Sequence, residues 1–467
     1  MEKSDFNDVL NGGYCIGCGA CQVLLQKDPE MTTDAWGRYQ PISSAHAYDP
    51  FVCPFSSLMP NEDSLAEEYL AEALESDAEI GRFLACYAGF VQSEELRSQS
   101  TSGGLTTWIA AQLLSDGTVD KVIHVKPVSG SETPLFAYAV SENIEELSAG
   151  AKTRYYPVEL SAVMQMVQSV PGKYLVIGLP CFIKAVRLLC EHSPMIRERI
   201  AFTIGLFCGT LKTARFTDLL GWQAGIAPGN VAMIDFRDKK GIPDAGTYVS
   251  KLTSQQGESR KVNWRDAYGT WWGHGYNKYP ACDYCDDVLS ETADVSVGDA
   301  WLPMYRGDPK GTNIVVARSR LAKELLEKGM NEGSIYLDPL TADEVRKSQA
   351  SNYRHRRDGL AYRLYLKDKR GLWRPEKRVK AGKDHLTSRE QKIYKRRTVL
   401  TEKSLGALEV SMRKNDLGYF VKVMERYRLR YELLYTSGLK HWLRYMVSLF
   451  CPSLLVNAWL RKIGPSD

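Results

Sequence analysis

Two kinds of apolar spacing alternate through the middle of the chain. Short runs of strand length read FLACYAGFV (83–91), VDKVIHV (119–125), KYLVIG (173–178) and IAFTIGLF (200–207). VAMIDFRD (231–238), GTYVSKLT (246–253), the run from Asp294 to Asp299 and GTNIVVARS (311–319) follow as further strands. Tyr174–Ile177 and Ile200–Phe207 are apolar at successive rather than alternate positions, as strands buried on both faces of a parallel sheet are. Between the runs, apolar residues recur at helical spacing. Examples are Leu105, Trp108, Ile109 and Leu113, then Ile183, Val186, Leu189 and Cys190, then Leu211 to Leu220, and LAKELLEKG near residue 325. Strand–helix alternation of this kind predicts an α/β fold on a mixed or parallel sheet.

The flanks follow other patterns. Residues 1–60 lack the alternation and predict a small module of their own. The stretch 61–82, beginning NEDSLAEEYLAEALESDAEI, predicts an acidic helical connector. Beyond residue 340 the spacing is helical and the composition changes. Residues 351–467 hold 28 Lys and Arg against 11 Asp and Glu, whereas the other 350 residues hold 32 against 45. The net charge of +4 therefore conceals a basic helical tail on an acidic body. The expected divisions are 1–60, 61–82, 83–170, 171–340 and 341–467. In the tail, Leu439, Trp442, Leu443, Met446, Val447 and Phe450 fall on one helical face, with Lys440, His441, Arg444 and Ser448 on the other. Such a helix can lie in an anionic membrane surface, or pack on its own protein. The arginine–tyrosine interleaving before it would also suit nucleic acid, although nucleic acid is not the expected partner.

Eleven cysteines, an odd number, stand in a long chain whose start (MEKSDFNDVL) does not read as a secretory signal. Metal or redox chemistry is then the better reading than a disulfide framework, and the expected location is the cytoplasm, or peripherally the inner face of its membrane. Cys15, Cys18 and Cys21 form a Cys-x2-Cys-x2-Cys run, with Cys53-Pro54 about thirty residues on. A [4Fe–4S] cube needs four thiolates, and a tight turn with Gly17 and Gly19 supplies three; Cys-Pro is how ferredoxins supply the fourth. A zinc site is the alternative, and three thiols with no nearby histidine favour iron–sulfur. Cys181 follows one of the central apolar runs and Cys208 ends the other. Both therefore stand at the carboxyl edge of the sheet, where open α/β sheets place ligands. Cys282 and Cys285 would complete a second set of four with them. Cys86 reads as plain core.

Ser102-Gly103-Gly104 opens a helix that continues through Thr106, and a capped helix start is a candidate phosphate site. Lys152 and Arg154 sit beside Tyr155 and Tyr156, which suits an anionic ligand with a flat ring. No catalytic acid stands out; His274, in WWGHGY, is the one candidate.

The segments SGGLTT (102–107), DKVIHV, TRYYP, VIGLPC (176–181), GLFCG (205–209), CDYCDDVLSETADVSVGDAW and GTNIVVARS occur in this order. Over roughly residues 10–330 the chain resembles the coenzyme F420 hydrogenase/dehydrogenase β-subunit family with a ferredoxin-type N-terminus. The resemblance implies an iron–sulfur flavoprotein. Cys181, Cys208, Cys282 and Cys285 would hold a second [4Fe–4S] cluster, and Ser102-Gly103-Gly104 would lie on the phosphates of FAD. It makes 83–170 and 171–340 the N- and C-terminal regions of such a β-subunit.

The expected function is that of an oxidoreductase. A ferredoxin-like one-electron donor protein would load two clusters, the N-terminal one first, and FAD would pass the electrons to a small organic substrate. The alternative is an electron-transfer subunit of a larger redox complex. A zinc-stapled, membrane-associated interaction protein is a third reading. Neither substrate nor oligomeric state is legible.

Overall fold

The computed structural model describes residues 5–25, 31–42, 48–128, 134–436 and 439–450. Cys451 lies outside them. An eight-stranded mixed sheet is its centre. In chain order the strands are β1 (Ala85–Val91), β2 (Lys121–Pro127), β3 (Phe136–Ser141), β4 (Tyr174–Gly178), β5 (Ile200–Leu206), β6 (Val295–Asp299), β7 (Asn313–Ala317) and β8 (Ile335–Pro339). Their spatial order is β8-β1-β7-β6-β5-β4-β2-β3. The inner four, β6-β5-β4-β2, are mutually parallel, and every pairing outside them is antiparallel. The two central apolar runs are thus parallel neighbours, paired from Tyr174↔Ile200 to Gly178↔Gly205. β3 and β8 were not legible in the apolar pattern. The expected strands at Val231–Asp235 and Val249–Ser254 do form, but with Ser259–Asn263 in a separate antiparallel sheet.

Helices cover both faces of the large sheet. Three of the helices matter for the site: α1 (Glu62–Tyr69), α2 (Leu105–Ser115) and α3 (Pro180–His192). On one face Leu105, Ile109 and Leu113 of α2 pack against Val122, Leu175, Phe202 and Val315. Cys86 is core, beside Ile314 and Val316. On the other face, α3 shares one apolar cluster with Tyr14, Ile16, Cys18 and Cys21 of the N-terminal segment and with Leu360 and Leu364 of the tail. The N-terminal module is therefore packed into the body rather than tethered beside it.

Two expectations are corrected here. The acidic connector is helical only over Glu62–Tyr69; Glu75–Asp77 and Gly81–Phe83 pair as a small hairpin. Glu62 pairs with Lys184 of α3 at 3.2 Å, both nearly buried, so this stretch is fastened to the core rather than solvated. The helix expected from Leu211 starts only at Arg215. Residues 211–213 stay extended because their backbone serves other partners: Leu211 N–H donates to Cys282 Sγ at 3.3 Å and Lys212 bridges to Lys278.

The tail is helical, as expected. It comprises α4 (Ala350–Arg356), α5 (Asp358–Asp368), α6 (Ser388–Lys414), α7 (Leu417–Glu432) and α8 (Leu439–Phe450). Asn415, in the left-handed region at φ +50°, turns α6 into α7. The orientation of α8 is not the one that burial of its apolar face would give. Arg444 pairs with Glu425 of α7 at 3.5 Å and Ser448 is buried, while Trp442 and Leu443 are each 49% exposed. The side chains of Leu439, Lys440, His441 and Phe450 lie outside the described residues.

Candidate functional site: two thiol quartets and an anion cleft

Local chain geometry assembles the first quartet. Gly17 (φ +67°) and Gly19 (φ +77°) adopt left-handed backbone, and a Cβ at Gly17 would lie 2.4 Å from the Tyr39 carbonyl. Only glycine bends the chain there. Gly17 N–H donates to Cys15 Sγ at 3.3 Å, and Asp49 N–H donates to the Cys21 carbonyl, bringing the Cys53 loop alongside. Burial pushes the Cys18 and Cys21 thiols upward, and the neighbouring thiols push them further: Cys53 and Cys15 on Cys18; Cys18, Cys15 and Cys53 on Cys21. Burial pushes Cys53 up to about 12.

The second quartet is assembled from strand ends. Cys181 lies in the first turn of α3, just past β4, with Pro180 at the helix start. Cys208 lies just past β5, its N–H donating to the Val288 carbonyl. Cys282 sits in the short turn Pro280–Tyr284 and Cys285 ends it. Burial raises Cys181 strongly, and Cys285, Cys208 and Cys282 add to it. Each cysteine predicted for one set is thus found with its set. Among the described residues, no three His, Cys, Asp or Glu side chains converge as they would on a single metal ion. A cube spreads its four thiolates wider than one ion does.

The two quartets adjoin. Cys18 lies within electrostatic range of Cys181, and Tyr138 lies within range of both, its hydroxyl pushed up by burial and then by Cys181 and Cys18. Tyr14 meets Tyr284 edge-on at 4.8 Å, and Tyr39 N–H donates to the Tyr279 hydroxyl at 3.0 Å. The outer module thus rests directly on the Cys282–Cys285 loop.

The tail completes that loop. Asp283 is fully buried with Lys278 at 2.5 Å, His355 Nε2 at 2.9 Å and Arg363 at 4.0 Å. Burial would raise its pKa, but Lys278, Arg363 and His355 outweigh burial and hold the carboxyl well below the usual carboxylate range. Asp286 meets Lys377 and Arg378, and Arg378 also reaches Glu62 and Glu291. Among the described residues, Arg357, Arg363, Lys377 and Arg378 of the tail's 28 basic side chains thus pair with carboxylates of the acidic body.

The predicted anion residues also come together, though not as a bare helix start. Thr153 N–H donates to Thr101 Oγ1 at 2.7 Å, joining the Lys152–Tyr155 loop to Ser102–Thr106. Much of each loop is already committed to protein partners. Leu105 N–H is taken by Asn313 Oδ1, a Cβ on Gly103 would meet the Gly89 carbonyl at 2.7 Å, and Lys152 pairs with Asp235. Arg154 lies over the Phe136 ring and is lowered to about 10 by burial. The cation that faces the Ser102 loop is one the sequence pattern did not indicate. Lys239 donates to the carbonyls of Ser102 (2.8 Å), Arg97 (2.9 Å) and Lys310 (2.5 Å), and no carboxylate pairs with it among the described residues. Burial, then Arg237 and Arg97, pull it down to about 7. It lines a cleft with Thr101, Arg237, Thr247 and Gly311 that has room for only about 10 Å³. Lys239 and Arg237 give the cleft positive charge of the sign a phosphate needs, although three carbonyls already take the Lys239 N–H groups and Arg237 pairs with Asp299. A flavin ring needs far more room. The ring does not fit this cleft.

Beyond the cleft, Tyr155 belongs to an aromatic cluster with Phe236, Trp264 and Trp272. Tyr155 packs on Trp272 at 5.1 Å, and Lys212 lies 5.1 Å from the Trp272 ring, two residues from the Thr210 turn that follows Cys208. His274 lies elsewhere: its Nε2 is 3.5 Å from Glu432 of α7, so it ties the tail to the body.

A mixed α/β frame thus carries two cysteine quartets, one in the N-terminal loops and one beside the carboxyl ends of β4 and β5. The relatives of this chain are oxidoreductases. Residues 86–165 match the model for the N-terminal part of the coenzyme F420 hydrogenase/dehydrogenase β-subunit, and residues 172–343 match the model for its C-terminal part. Together these cover more than half of the chain, which belongs to the coenzyme F420 hydrogenase/dehydrogenase β-subunit family. The chain is 23% identical over 363 residues to the coenzyme F420-dependent sulfite reductase of Methanocaldococcus jannaschii, covering 71% of this chain but 49% of that protein. It is also 23% identical over 276 residues to the coenzyme F420 hydrogenase subunit beta of Methanosarcina barkeri, covering 58% of this chain and 86% of that one. A chain of the F420-reducing [NiFe] hydrogenase complex from Methanosarcina barkeri superposes with a TM-score of 0.48 at 18% identity, over 67% of this chain and all of that one. Cys181, Cys208, Cys282 and Cys285 fall inside the matched region; Cys15 to Cys53 and the basic tail fall outside it.

Proposed function

We propose that this chain is an electron-transfer β-type subunit or module of an F420-linked redox enzyme, with one [4Fe–4S] cluster on Cys15, Cys18, Cys21 and Cys53 and a second on Cys181, Cys208, Cys282 and Cys285. The observation that carries the reading is the adjacency of two thiol quartets that share one apolar cluster, with Cys18 within electrostatic range of Cys181. Clusters there would supply one-electron storage at two neighbouring points. The protein's own part is to exclude water from the thiols, to hold their spacing, and to set how easily charge is added. Each quartet has two buried and two half-buried cysteines, the half-buried ones being Cys15 and Cys53 in one, Cys181 and Cys285 in the other. The N-terminal quartet is proposed as the entry point because it lies outside the sheet-borne body.

An electron-transfer role suits the β-subunit relatives better than turnover of an organic substrate by this chain alone. FAD is the carrier that the family resemblance implies. Its phosphates alone would lie at the Ser102 turn, beside Lys239, Thr106 and the Lys152–Tyr155 loop, with the ring outside the cleft. The outward Trp442 and Leu443, with Arg444 beside them, would suit an anionic membrane surface.

The deciding experiment is an iron and acid-labile sulfide count on anaerobically purified protein. The proposal expects about eight of each per chain. Zinc near one atom per chain without iron would overturn it.

A further inference from the structure

Arg356 belongs to the tail, beyond both family segments, yet it is 1% exposed and reaches the inner thiols. Its Nη1 donates to Cys285 Sγ at 2.5 Å and to the Asp287 carbonyl at 2.7 Å. Its Nη2 donates to the carbonyls of Cys208 at 2.8 Å and Gly209 at 3.2 Å. One planar fork therefore clamps the two loops that carry Cys208 and Cys285, a geometry that lysine's point charge cannot reproduce.

Its charge raises a further question. A buried cation needs a compensating anion, and leaving it unpaired is costly. Among the described residues, no carboxylate forms an ion pair with Arg356. Burial works against its charge, and Cys285, Cys208 and Cys282, then Asp287, outweigh burial and hold it firmly protonated. Three of those four groups are inner cysteines, and four thiolates around a cube carry net negative charge that grows on reduction.

We propose that Arg356 is the positioning residue of the inner cluster, and that its N–H···S bond to Cys285 and its buried charge raise that cluster's reduction potential. Hydrogen bonds to the sulfurs and local charge are the levers by which proteins set such potentials. The sign follows from the charge. One electron arrives from the donor protein, no bond is made or broken, and a fixed cation favours the more negative product. The basic tail is then part of the redox centre, holding the inner cluster poised to accept electrons from the outer one. This rests on the reading of Cys181, Cys208, Cys282 and Cys285 as a [4Fe–4S] site.

The test compares wild-type protein with Arg356→Lys, Arg356→Gln and Arg374→Gln, whose guanidinium pairs instead with Asp368 at 2.9 Å. Iron is counted first, and a redox titration followed by electron paramagnetic resonance comes second. The outer signal is identified by its loss in Cys18→Ser. At a fixed poise, Arg356→Gln should leave the inner cluster about tenfold less reduced, equal to about 59 mV for one electron. Arg356→Lys should shift it less, and Arg374→Gln not at all. Wild-type protein without iron overturns the cluster reading itself. Full iron with an unchanged inner potential in both Arg356 variants overturns the inference and leaves that reading standing. Loss of the inner irons from both variants also overturns it, making Arg356 a purely structural clamp.

Discussion

Cys18 and Cys181 are the residues on which the two quartets meet, and their replacement separates the two halves of the proposed relay. Cys18→Ser should lower iron from about eight to about four per chain and slow reduction by an external one-electron protein donor. Cys181→Ser should also halve the iron but damage more, because it removes a ligand held by β4 and α3 in the centre of the fold. Cys86→Ala and Cys190→Ala, both buried away from the quartets, should leave the iron count unchanged. Asp283 offers a test of the tail's ionic attachment. Asp283→Asn would strand Lys278, His355 and Arg363 around a neutral group, and breaking such a buried network costs about 3–5 kcal/mol. Denaturant midpoints would report it. Because the folded pKa of Asp283 is depressed, its contribution is present above the unfolded carboxylate range, near pH 4. It is lost as pH falls through the lower, folded value. The wild-type and Asp283→Asn stability curves should therefore converge in acid.

At the scale of elements, the turn before α2 shows why a glycine substitution would mislead. Gly104 has φ +87°, and a Cβ there would approach Val91 Cγ2 to 2.9 Å. Gly104→Val would strain the backbone at a cost of about 1–3 kcal/mol whatever the turn binds. Lys239 is the cleaner probe of the same turn. Lys239→Gln keeps the fold's glycines and removes the cation, so it should weaken retention of a phosphate-bearing cofactor, read as absorbance released from purified protein, with the iron count unchanged. Retention at the wild-type level would move the phosphate site elsewhere. Helix α8 makes a different point. A sequence face with six apolar residues predicted which side would be buried, but its packing on α7 through Arg444 and Ser448 leaves Trp442 and Leu443 outward.

For the whole molecule, the tail is two things joined in sequence. Its first part, through Arg378, is built into the inner site; its last helix lies on the outside. Two truncations separate them. Ending the chain after residue 436 should leave both clusters in place and abolish any binding to vesicles of anionic phospholipid. That binding, if present in the full chain, should also weaken from low to high salt. Ending it after residue 345 should cost the inner irons, because Arg356, Arg363, Lys377 and Arg378 leave with it. Full iron in the shorter form would show that the tail is no part of the centre. Among the described residues, no helix is long and apolar enough to cross a membrane.

The sequence by itself determined what depends on neighbouring residues. The parallel pair β4 and β5 was legible because burial on both faces demands unbroken apolar runs. The bend at Gly17 and Gly19 was legible because three thiols in seven residues require it, and the family because its motifs occur in order. Tertiary structure decided what depends on residues far apart in the chain. β3 and β8 are strands because the sheet had edges to fill. Lys239 faces Ser102 across 137 positions, a pairing with no local period. The charge division of the tail predicted an acidic partner but did not say which. That Arg356 meets Cys285, and Arg378 meets Glu62 and Glu291, follows from packing α4 and α5 onto the loop around Asp283. Desolvated charges there must find opposite partners or destabilise the fold.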